Sequence, residues 1–155
     1  MNKFACAAIV AGLAATSACK KLDSVKVSDA TMTKVSDEFL AAPLSGDIAR
    51  DDALYAKDVI AIDPMSAELI VGADAMHKSN QGFIDMKLDK LRYVERRFQA
   101  LDAEDFVVTA KIHGESSTGS VKTLDFRVTD LFRKQDDGSF KVISEHASFE
   151  ATAPK

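Results

Sequence analysis

Apolar residues recur at three- and four-residue spacing through Met32, Val35, Phe39 and Leu40, which predicts an amphipathic helix that Ser28 or Asp29 can cap. Pro43 and Gly46 end it. Asp47 is placed to cap a second helix carrying Ile48, Leu54 and Tyr55. The β-branched run Val59-Ile60-Ala61-Ile62 then changes the period to that of a buried strand, which stops at Pro64. After Gly72 a third helix is expected to about Lys87, with Met76, Phe83 and Ile84 facing the core. From about residue 88 the chain alternates as long antiparallel strands, separated by the polar or glycine-containing clusters at 102–105, 116–120 and 135–138. Helices gathered first and a meander afterwards predict an α+β fold, with about three helices packed on one face of a curved sheet.

The same alternation sorts polar groups by face. On the strand from Val121 to Lys134, Leu124, Phe126, Val128, Asp130 and Phe132 share one side, and Asp125, Arg127 and Arg133 share the other. Asp130 is therefore a carboxyl on an apolar face, where it must find donors or keep its proton; such groups cluster at functional sites. A β-bulge that shifts the face assignment is the alternative. In the last strand, Phe140, Val142, Ser144, His146 and Ser148 form one face and Ile143, Ala147 and Phe149 the other, so both look half buried. If the first lines the interior, His146 joins Asp130 in one cavity, as donor or as a satisfied core histidine.

Composition narrows the classes of function. The 155 residues, 46% hydrophobic and 28% charged, suit one domain with a sizeable core. A net charge of -4 without clustered Lys and Arg speaks against nucleic acid as a partner. The densest basic run, Arg92 to Arg97, is broken by Glu95 and reads as a solvated sheet face. His77, His113 and His146 lack close ligand spacing and a cysteine partner, so neither a metal nor a cofactor is expected.

The beginning of the chain reads as an address. Lys3, the apolar run from Phe4 to Leu13 and the small residues after it have the three parts of a bacterial secretory signal. Thr16-Ser17-Ala18-Cys19 resembles a lipobox, with Thr16 where leucine is usual. Cys19 is thus expected to carry lipid, ordinary cleavage after Ala18 being the alternative. Cys6 falls within the discarded part, leaving Cys19 as the mature chain's one thiol, which a thioether would cap. The expected divisions are a signal peptide at 1–18, a tether at 19–28, a domain at 28–150 and a tail at 151–155.

The stretch from Gly46 to Met76 resembles the SnoaL-like, nuclear transport factor two-like superfamily, an α+β cone with a deep pocket. In the ketosteroid isomerase branch an acidic residue before a proline is the general base, a place that Asp63-Pro64 takes here. Gly46-Asp47 and Gly72 match the turns before the second and third helices, and Asp130-Leu131-Phe132-Arg133 matches the segment of a protonated oxyanion donor. Phe39 stands where that branch has a second donor, a tyrosine. Glu145-His146-Ala147-Ser148 is similar to the ending of the broader SnoaL-like families.

The resemblance implies catalytic candidates Asp63, Asp130 and His146, and a pocket of Phe39, Tyr55, Phe126, Val128 and Phe132. It also implies a homodimer. The function expected is an exported module, anchored through Cys19 to the outer membrane and binding a small apolar molecule or a protein in its cone. The alternative is an acid-base enzyme, an isomerase, dehydratase or cyclase, acting on a hydrophobic carbonyl compound.

Overall fold

The structure, a computed structural model, describes residues 25–150. The expectations for Cys19, the signal segment and the tail at 151–155 lie outside these residues.

Helix α1 (Asp29–Ala41) begins where Ser28 Oγ accepts from the Thr31 amide at 3.2 Å, and it buries Met32. A 3₁₀ turn (Pro43–Ser45) ends at Gly46, whose φ of 71° is open to glycine without strain. Asp47 then caps α2 (Ile48–Asp52) through the Ala49 and Arg50 amides at 3.0 and 3.3 Å. This helix is shorter than its sequence suggests. Tyr55 opens strand β1 (Tyr55–Ile62) rather than closing α2. A two-residue strand, β2 (Ile70–Val71), pairs with β1, and Gly72 leads into α3 (Ala73–Ile84).

Four long strands follow, β3 (Lys90–Ala100), β4 (Asp105–Glu115), β5 (Thr123–Lys134) and β6 (Phe140–Phe149). The six form one sheet in the order β2-β1-β6-β5-β4-β3, antiparallel except where β1 lies parallel to β6. The inner face holds the core, in which Phe106 and Phe132 stack at 4.8 Å between centroids and Phe39 of α1 meets Phe132 edge-on at 5.9 Å.

Two irregularities decide which groups point inward. On β3, Val94 has no partner on β4, and after it Arg96 turns to the core side. Its guanidinium lies over the Tyr93 and Phe98 rings at 4.3 and 5.0 Å and donates to Ser36 Oγ and Asp37 on α1. The basic run is therefore not wholly a solvated face. On β6, Leu131 of β5 faces Ser144 whereas Phe132 faces Val142, so Ile143 is one residue too many. This β-bulge exchanges the two faces of the strand beyond it.

Candidate functional site

A cavity of about 80 Å³ opens between the inner face of the sheet and the helices. Phe39, Phe83, Phe126 and Val128 supply apolar wall, and Asp63, Pro64, Met65 and Phe149 lie toward its exposed mouth. The polar groups are Asp51 from α2, Tyr55 from β1, Ser79 and Asn80 from α3 and Glu145 from β6.

Each polar group arrives for a local reason. In α2, Ile48, Asp51 and Asp52 fall at helical spacing on the side turned to the protein, which leaves Asp51 only 5% exposed. Asp52 is held by Asn80 Nδ2 at 3.0 Å and by His77 Nδ1 at 2.6 Å, so His77 remains a partly exposed surface group. The Asp51 carboxyl forms no side-chain hydrogen bond with any described residue. Burial, with Asp52 next to it, pushes its pKa up to about 7.

Glu145 owes its inward direction to the bulge at Ile143. It accepts from Tyr55 Oη at 3.0 Å and sits directly across the ladder from Asp130. Burial raises its pKa to about 7 against the pull of the Tyr55 bond, helped by the charges of Asp63 and Asp51. Burial, with those carboxyls around it, keeps the Tyr55 hydroxyl protonated.

Asp130 faces inward, as its alternation requires, but it lies behind the cavity wall. It is 1% exposed, and its Oδ1 has no hydrogen-bond partner among the described residues. Burial first and the neighbouring Glu145 second raise its pKa well above the usual carboxylate range, which favours the protonated form.

Asp63 lines the cavity and ends β1 as a turn residue, accepting from the Met65 amide at 2.7 Å and from Ser79 Oγ. Asp63 and Asp130 thus face the same interior without both reaching the cavity surface. Of the expected pocket residues, Phe39, Tyr55, Phe126 and Val128 line the cavity. Phe132 is buried beneath it in the stack with Phe106.

His146 stands apart. The extra residue at Ile143 turns it to the outer face, where it is exposed in a shallow depression with Arg97, Lys111, Arg127 and Thr129. It therefore does not share a cavity with Asp130. His113 is also on the outer side, bonded to Asp125 at 2.7 Å. No cluster of His, Cys, Asp and Glu suited to a metal ion occurs among the described residues.

Asp51 and Glu145 are the members of the site that sequence reasoning passes over. Asp51 had a signal, the spacing of Ile48, Asp51 and Asp52 on one side of a short helix. Glu145 had none that survives the bulge, because regular alternation assigns the cavity to its neighbour His146.

A helical layer over a curved six-stranded sheet is the fold of NTF2-like proteins. Solved structures share it: an NTF2-like protein of unknown function from Pseudomonas putida superposes with a TM-score of 0.68 at 18% identity, covering 80% of this chain and 87% of that one. A ketosteroid isomerase-like protein from Erwinia carotovora atroseptica gives 0.66 at 20%, covering 79% and 96%. An NTF2-like protein of unknown function in nutrient uptake from Rhodospirillum rubrum gives 0.65 at 20%, covering 77% and 98%. The family model of the SnoaL-like domain matches residues 33–152, and the chain belongs to that family. No curated protein matches it.

Proposed function

We propose that this SnoaL-like domain is a binding module for a small, mostly apolar molecule with one polar end. The observation that carries the reading is a cavity whose lining combines apolar aromatic surface with the polar groups of Asp51, Tyr55 and Glu145. A cavity of about 80 Å³ holds on the order of half a dozen water positions at roughly 10–15 Å³ each, which sets the size of an enclosed ligand.

The test is a titration of the ¹⁵N-labelled domain with cyclohexanol and cyclohexanone. Amide shifts should concentrate at Tyr55, Phe126 and Ala147. Shifts confined to the outer face, or none, would overturn the reading.

One observation favours a second reading, an acid-base enzyme acting on a small hydrophobic carbonyl compound. Asp51 and Glu145, both near 7, can each give or take a proton at neutral pH. Glu145 rather than His146 is then the group in reach of a ligand. Glu145→Gln should abolish enone isomerisation while retaining cyclohexanone binding; an unchanged rate would remove this reading.

Export and anchoring through Cys19 rest on the secretory-type segment and the small residues before that cysteine. The lipid-modified protein is proposed to face the periplasm from the outer membrane. Cys19→Ala should move the protein from the membrane to the soluble periplasmic fraction, and a soluble wild type would contradict the anchor. A homodimer would use the outer face of the sheet, which light scattering on the purified domain tests directly.

A further inference from the structure

The cavity collects acids and excludes bases. Asp51, Asp63 and Glu145 line it, and no lysine, arginine or histidine does so among the described residues. Arginines that pack near the helices are committed elsewhere: Arg50 to Glu38 at 2.7 Å, and Arg96 to Ser36 and Asp37. Asp51 is the most telling member, 95% shielded from solvent and without a side-chain hydrogen bond to any described residue, yet part of the cavity wall. A buried carboxyl with neither donor nor counter-charge is costly and invites a partner from outside the chain.

The rest of the lining has the complementary chemistry. Phe39, Tyr55, Phe83 and Phe126 line the cavity, and the negative faces of such rings attract organic cations. The rings also pack an apolar body.

Deepening the binding reading above, on which it rests, we propose that the ligand is a small organic ammonium ion. Its apolar part lies on Phe39, Phe83 and Phe126, and its nitrogen points to Asp51 and Glu145. The ammonium supplies the counter-charge that no described residue brings to the cavity.

Binding is then linked to protons. The groups facing Asp51 and Glu145 are Asp52 from α2, Tyr55 and Asp63 from the two ends of β1 and Asp130 from β5, while α3 presents Ser79 and Asn80. None is a base that could replace the ligand's charge. At acid pH Asp51 and Glu145 hold protons; as pH rises through about 7 they ionise and the affinity for a cation increases.

Cyclohexylammonium and cyclohexanol have nearly the same shape and differ in charge, so NMR titrations of the domain with each isolate the inference. At about pH 7.5 the ammonium should bind at least about tenfold more tightly, and the preference should shrink toward parity near pH 5.5. Asp51→Asn and Glu145→Gln should each reduce the preference for the ammonium over cyclohexanol severalfold. If cyclohexanol binds the cavity as tightly as the ammonium or better, the inference fails and the binding reading stands. If neither ligand shifts the cavity amides, both fail.

Discussion

The two faces of one sheet treat their carboxylates in opposite ways. On the outer face Asp105 takes a two-pronged bond from Arg133 at 2.9 Å, Asp125 meets His113 at 2.7 Å, and Glu115 and Glu150 pair with Lys90 and Lys111 at 3.3 and 3.4 Å. On the inner side Asp51, Asp130 and Glu145 pair with no cation among the described residues. Exposed pairs of the first kind add little to stability, because water already solvates both partners. Buried, unmatched carboxyls oppose folding instead, so their persistence points to use. In this protein the candidate site is marked by missing counter-charge, not by an abundance of charge.

The deepest layer beneath the cavity should give the largest response. Phe132→Ala removes a 1% exposed ring from the stack with Phe106 and is expected to cost about 3–5 kcal/mol in urea denaturation. Phe126, half buried at the cavity wall, should cost less. Equal losses would mean that the cavity is filled by collapse of its walls.

Next in size is the pH dependence of the inner carboxyls. Between the unfolded value near 4 and the folded value of about 7, the native state holds protons on Asp51 and Glu145 that the unfolded chain has released. Stability from these groups is therefore complete at low pH and falls as pH rises through that window. Asp51→Asn should lessen the loss between pH 5 and 8 by on the order of 2 kcal/mol, measured as the difference in unfolding free energy from wild type. Surface Glu38, whose bond from Arg50 lowers its pKa, has the opposite sign and loses its contribution as pH drops below the usual carboxylate range. A carbon-13 titration of Asp51, Asp130 and Glu145 separates the two sets directly. Ordinary values for all three would erase the contrast between the faces.

Outer-face changes should be smaller. Arg133→Ala breaks both bonds to Asp105, yet its denaturation midpoint should move by only a small fraction of the Phe132→Ala shift. The smallest effect belongs to His146→Ala, expected to change neither the midpoint nor ligand affinity. A loss of ligand affinity in that variant would place the site on the wrong face.

Much of this arrangement is legible in residue order. The helix caps at Ser28 and Asp47, the three helices, the long strands and the inward direction of Asp130 all follow from spacing, because regular elements translate periodicity into faces. What escaped is tied to irregularity or to brevity. Tyr55 reads as helical because α2 stops after five residues, at a point that no glycine or proline marks. Strand β2 has only two residues, too few to show a period. Glu145 and His146 exchange faces because an apolar Ile143 looks no different as an extra residue than as a regular one. Asp51 was obscured by Arg50 and Asp52, which make the helix look solvated throughout.

The bulge at Ile143 has a further consequence for the kind of protein this chain can become. With the strand ironed flat and every residue kept, Ser144, His146 and Ser148 would turn to the interior and Glu145 to solvent. The same composition would then enclose a base in place of an acid. Against that alternative stand Ala147 and Phe149, which the bulge places on the cavity side and which the flat strand would surrender to water. Which member of the Glu145-His146 pair faces the interior is thus chosen by two apolar neighbours that titrate nothing. Chains with an identical Glu-His pair can hold opposite chemistries, and exchanging the polarity of positions 147 and 148 is a route from one to the other.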